Sequence, residues 1–110
     1  MKIRATVDDA LAAIRESSEA DYGVLLQRGT LEIGFYTPQE VDPQQPHEQD
    51  EVYVVQAGHG SFVVGGETTA FTAGDALFVP AGVSHRFVDF SDDFAAWVIY
   101  GPRGGEMPGG

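Results

Sequence analysis

From position 22 onward the chain alternates between short apolar runs and breaks made of glycine, proline or charged residues. Eight runs can be marked: 22–27, 30–36, 51–57, 61–64, 67–72, 76–80, 85–90 and 94–100. They are rich in Val, Phe, Tyr, Thr and Ile and too short for helices, so each predicts a strand. Ahead of them Val7, Leu11 and Ile14 recur at helical spacing through about Glu16. Thr6 stands where an N-cap belongs, and Asp8 and Asp9 fall in the first turn, so one short amphipathic helix is predicted. Gly65-Gly66 between two runs reads as a two-residue type I′ hairpin turn, which implies local antiparallel pairing. One helix followed by eight strands predicts an all-β, closed or nearly closed antiparallel architecture, a barrel or jelly roll. An α/β fold would need helices between the strands.

The chain of 110 residues fits a single domain. Within it, 1–20 forms the helical segment, about 35–100 the barrel, and 101–110 a flexible tail without apolar period. The other loose stretch, 38–46, is rich in Pro, Gln and acid. Seventeen acidic residues against six basic ones give a formal charge of −11. That charge repels phosphate backbones and anionic lipid, so neither nucleic acid nor a membrane is an expected partner. No run approaches the ~20 apolar residues of a membrane span and the N-terminus lacks a signal-type stretch, so a soluble cytoplasmic protein is expected.

Cysteine is absent, which excludes thiolate zinc sites, iron–sulfur clusters and cysteine nucleophiles and leaves nitrogen and oxygen as the donors for any metal. No serine-hydrolase elbow, phosphate-binding lysine loop or dinucleotide fingerprint occurs either. Attention falls on PHEQDEVYVVQAG, 46–58, where His47 and Glu51 precede a valine-rich run, and on His85 at the end of GDALFVPAGVSH. Two histidines and a carboxylate form a candidate ligand set. On a straight strand four steps of ~3.3 Å would hold His47 and Glu51 about 13 Å apart, too far for one ion. Either the chain bends over Glu48-Gln49-Asp50, with Glu51 at the start of a strand, or Pro46 opens a helix whose i, i+4 pair shares a face. The β-favouring Val52-Tyr53-Val54-Val55 supports the bend.

These residues resemble the two signature motifs of the cupins, small double-stranded β-helix (jelly-roll) proteins. The first pattern, G-x5-H-x-H-x3,4-E-x6-G, is matched in its second half by His47, Glu51 and Gly58, with Gln45 where the first histidine belongs and the opening glycine missing. The second, G-x5-P-x-G-x2-H-x3-N, is met by Gly74, Pro80, Gly82 and His85, with Asp89 in place of the asparagine. The resemblance covers about 35–100. It implies that His47, Glu51 and His85 ligate a divalent metal, with Gln45 at the position of a fourth ligand. Fe(II) is the first expectation, because two histidines and one carboxylate leave open positions, and Mn, Zn, Ni or Cu are the substitutes.

Alternation along the strands turns Tyr53 inward after Glu51, and Phe87 and Asp89 inward after His85. Tyr53 and Asp89 thereby become candidates for catalytic roles, Asp89 as an acid/base or outer-shell group. His59, between two glycines, reads as a turn residue, and the motif glycines and Pro80 need only structural explanations. The expected function is that of a metal-dependent enzyme on a small polar or aromatic molecule, a dioxygenase first and an isomerase or lyase second. The alternative is a non-catalytic ligand-binding or regulatory protein with a degenerate site. Edge strands in so small a barrel, and the common dimeric state of the resembled family, add the expectation of a homodimer.

Overall fold

The computed structural model describes residues 4–19, 21–39 and 48–103. Its elements are α1 (Val7–Glu16), β1 (Tyr22–Arg28), β2 (Leu31–Tyr36), β3 (Gln49–Ala57), β4 (His59–Val64), β5 (Glu67–Thr72), β6 (Ala76–Val79), β7 (His85–Val88) and β8 (Ala95–Arg103). All eight expected strands form. The strands make two antiparallel sheets, one in the order β1-β2-β8-β3-β6 and one in the order β5-β4-β7. They face each other across a core of Tyr36, Tyr53, Val55, Phe62, Phe87 and Val98 among others. This is the all-β jelly-roll expected from the runs, because two half-apolar sheets bury their faces most completely against each other.

The helix forms as its sequence dictates. Thr6 caps it with a reciprocal pair: Asp9 N–H donates to Thr6 Oγ1 at 3.1 Å and Thr6 N–H donates to Asp9 Oδ2 at 3.0 Å. These bonds satisfy two backbone donors that the first turn would otherwise leave unmatched. Among the described residues no helix is long and apolar enough to cross a membrane.

Several local expectations are corrected. Gly65 has φ of 59° while Gly66 is not in the positive-φ region. The hairpin therefore follows the type II′ pattern, in which only the first central residue is left-handed. His59 is the first residue of β4, paired with Thr72. β3 begins at Gln49, so Glu51 is its third residue, and a register shift between Gln49 and Glu51 against β8 marks a bulge there. β8 runs through Arg103, so 101–103, expected in the tail, pair in the sheet. The bulge lies within the stretch where the sequence required a change of direction, and extra residues in one strand produce such bends.

Candidate metal centre

Glu51 and His85 arrive from opposite sheets. On β3 the pleat turns Glu51, Tyr53 and Val55 into the core, and all three are buried. On β7 it turns His85 and Phe87 inward, paired with Val64 and Phe62 of β4. The two motif residues meet between the sheets, with His85 Nε2 3.2 Å from Glu51 Oε1 and neither side chain exposed to solvent. The turn that delivers His85 needs a left-handed residue, which Gly82 supplies at φ 80°. Asp50 Oδ1 accepts from Ala81 N–H at 2.9 Å and ties that turn to β3.

His85 Nδ1 lies 3.0 Å from the carbonyl oxygen of Val83. A carbonyl can only accept, so Nδ1 carries the proton, and a neutral ring then directs the Nε2 lone pair at the Glu51 carboxylate. Two acceptor atoms at 3.2 Å repel unless a positive charge, a proton or a metal ion, lies between them. Fixing one ring nitrogen on a backbone carbonyl is also how ligating histidines are held for a metal. The donor pair therefore fits a divalent cation.

Glu51 is further engaged by Tyr100. The two are cross-strand partners on β3 and β8, and the Glu51 charge acts on the Tyr100 phenol. Burial, then the charges of Glu51 and Glu32, push the Tyr100 phenol well above its ordinary value of 10.0, so it stays a donor. The same inward rank continues across the sheet, where Glu32 pairs with Tyr100 and Gln27 with Glu32. Tyr22 donates to Glu32 Oε2 at 2.6 Å and Gln27 Nε2 donates to Glu32 Oε1 at 3.0 Å. The Tyr22 phenol is raised too, first by burial and then by its bond to Glu32.

Of the residues singled out from the sequence, Glu51 and His85 are brought together, while Gln45 and His47 lie outside the described residues. Among those described, no group of three or more His, Asp or Glu side chains could hold a metal. Tyr53 is fully buried, its ring 6.1 Å from the His85 ring and 4.8 Å from that of Phe87. It packs the wall behind the histidine. Asp89 does not follow His85 inward. β7 ends at Val88, and Asp89 is exposed at φ 50°, in the turn that leaves the strand. Alternation stops where the strand stops, which is why the inward expectation fails for this residue. Sequence reading missed Glu32, Tyr22 and Tyr100. The first two sit in runs that read as ordinary strands, and nothing local reveals that β2 and β8, more than fifty residues apart, are neighbours.

A family model described as "Cupin domain" matches residues 34–100. The protein SCO3923 of Streptomyces coelicolor, named as uncharacterised, is 38% identical over 96 residues, covering 86% of this chain and 91% of its own. Among solved structures, the Cupin 2 conserved barrel domain protein of Salinispora arenicola superposes with a TM-score of 0.67 at 19% identity, covering 93% of this chain and 89% of that one. KdgF of a Halomonas species gives a TM-score of 0.66 at 21% identity, covering 83% and 87%. With both sheets, the second motif and the family match in agreement, the chain belongs to the cupin family.

Proposed function

We propose that this cupin is a metal-dependent enzyme acting on a small polar molecule, with Glu51, His85 and His47 as ligands of a divalent cation and Gln45 beside them. The observation that carries the reading is the fully buried His85 Nε2 to Glu51 Oε1 approach of 3.2 Å, with Nδ1 already committed to Val83. A divalent cation there would polarise a substrate carbonyl or carboxylate oxygen and lower the pKa of a bound water. Fe(II) is favoured by the ligand chemistry, and Mn, Zn, Ni and Cu share it.

The chain's own groups do the rest. Val83 holds the imidazole tautomer, Tyr100 stands opposite Glu51 on the neighbouring strand, and the rings of Tyr53, Phe62 and Phe87 keep water from the buried side. Tyr100 and the Glu32 carboxylate lie in one rank beside Glu51, with Tyr22 donating to Glu32; a phenol held well above its ordinary value keeps its proton and can donate a hydrogen bond to a developing oxyanion. That rank favours an isomerase or lyase over the dioxygenase that the ligand set alone suggests. The second reading, a non-catalytic binder, follows from Gln45 standing where the family motif has a histidine.

Elemental analysis of freshly purified protein tests the centre. Near one divalent ion per chain is expected, falling below about a tenth in both His85→Ala and Glu51→Ala, since an uncharged apolar replacement removes a donor outright. Metal-free protein that is nonetheless stabilised by small ligands, with no effect of chelator, would mark the binding-module reading instead. Turnover that consumes oxygen would return the dioxygenase to first place.

A further inference from the structure

A cleft of about 260 Å³ opens beside the metal centre, lined by Gln27, Gly29, Thr30, Glu32, Glu48 and Gln49. None of them stands at a fixed position of either motif. Glu32 lines it from β2, half-buried. Among the described residues its hydrogen-bond partners are the Tyr22 phenol at 2.6 Å and the Gln27 amide at 3.0 Å, both neutral. Neutral donors hold the carboxylate in place and leave its charge uncompensated. Tyr22 is paired with Tyr36, four residues along β2 from Glu32, and reaches it only across Gly34, where any Cβ would overlap the phenol. A glycine inside a strand weakens it, so this one is explained by the hydrogen bond it permits.

The amides of the cleft are oriented as well. Gln49 Nε2 donates to the carbonyl oxygens of Thr30 at 2.7 Å and Gly101 at 2.9 Å. Carbonyls only accept, so both amide hydrogens are used and Gln49 has only its Oε1 to offer a ligand. Gln27 turns its Nε2 to Glu32, which leaves its Oε1 on the other side of the amide. With the Glu32 carboxylate these make an oxygen-rich lining, to which the exposed Glu48 adds a second carboxylate. A primary ammonium matches it, with three donors, no acceptor and a positive charge. A sugar hydroxyl would bring an acceptor and no charge, and a chain of formal charge −11 enriches cations at its surface. We propose that this cleft is the subsite for a primary ammonium group, and that the substrate is a small amino compound whose other end, a carboxylate or carbonyl oxygen, meets the metal ion.

The second half of the proposal rests on the metal-dependent reading above, and the ammonium subsite does not. Glu32 and Glu51 are both paired with Tyr100, so two strand spacings, about 10 Å, separate their backbones. One small molecule spans that separation. The cleft is smaller than the pockets of drug-sized ligands, which run from about 300 Å³ upward, and so suits one end of a molecule whose other end lies deeper in the barrel. Glu32 then selects the substrate by charge, while Tyr22 is a positioning residue that acts through it.

Calorimetric titration of the full chain, as purified and at neutral pH, compares n-butylammonium with n-butanol, which has the same carbon chain and a neutral head. The ammonium should bind about tenfold tighter, the margin of a charge-assisted hydrogen bond over a neutral one, and Glu32→Gln should bring the two within about twofold. Rising salt should weaken the ammonium and leave the alcohol unchanged, a comparison that stands if Glu32→Gln misfolds. Equal affinities in the original chain, or a preference that survives in folded Glu32→Gln protein, overturn the subsite. Calcium that displaces the ammonium at equal concentration overturns it too and marks an oxygen site for a hard cation. In protein carrying its metal, the series of ω-amino acids from glycine to ε-aminocaproate tests the span. One member should bind about tenfold tighter than n-butylammonium, because its two ends are linked; if none does, the spanning substrate is wrong. Ammonium binding in a chain that takes up no divalent metal would sink the metal centre and keep the subsite, whereas metal uptake without ammonium preference would do the reverse.

Discussion

A carboxylate with about 1% of its surface exposed is stable only when its charge is answered, since desolvating an isolated carboxylate costs far more than a domain's whole stability. At Glu51 the neutral His85 ring offers only a lone pair, so the answer falls to a positive charge between the two and to the Tyr100 phenol on the neighbouring strand. A phenol in that position steers the carboxylate. Replacing Tyr100 by Phe keeps the ring and its packing and removes only the donor. Tyr100→Phe should weaken divalent-metal binding by about tenfold, the scale on which partners of metal ligands act. Titration with a metallochromic competitor measures this directly. An unchanged metal constant in a variant with unchanged Tm would show that Tyr100 does not orient Glu51. Asp89 gives the contrast: alternation predicts it inward four residues after His85, but it lies past the end of its strand, whereas Tyr100, opposite Glu51, lies inside one, where the pleat fixes direction.

The strands and the helix were legible because each carries a local signal: β-branched runs bounded by Gly, Pro and Asp, and a Thr6 cap followed by two acids. Half of the site was legible for a related reason, as the spacing from Gly74 through Pro80 and Gly82 to His85 is a turn geometry written into consecutive residues. What stayed hidden depends on pairing between distant strands. The rank Gln27, Glu32, Tyr100, Glu51 exists only through the β1-β2-β8-β3 order, and no window along the chain contains it. The seat of α1 is another such case. Gly23 reads as a plain strand glycine, yet the helix backbone lies directly over it. Gly23→Ala must push α1 away from β1, because the atoms it meets are main chain and cannot rotate aside. A loss of about 1–3 kcal/mol is expected, seen as a Tm lower by about 5 °C or more. Metal content should be unaffected, since α1 touches neither Glu51 nor His85; an unchanged Tm would mean that the helix contributes nothing to stability.

At the level of the whole molecule, two of the four tyrosine phenols lie beside carboxylates in a strongly acidic protein, and this shapes how stability responds to alkali. Tyr22 and Tyr100 are both raised above 10.0, chiefly by burial, with nearby carboxylates reinforcing the effect. In the unfolded chain each phenol ionises near 10, whereas the folded chain keeps both protons to higher pH. Above pH 10 the folded state therefore binds more protons than the unfolded one, and stability must fall as pH rises. Below that pH neither group contributes a slope. Urea midpoints measured from pH 8 to 12 should be flat with respect to these groups until about 10 and then decline, the decline steepened by the general repulsion among carboxylates. Tyr22→Phe separates the two contributions. It removes one titrating phenol together with its bond to Glu32, so the variant should start less stable at pH 8 yet lose less between pH 10 and 12. Parallel curves for the variant and the original chain would show that Tyr22 ionises alike in both states and is not held by the fold.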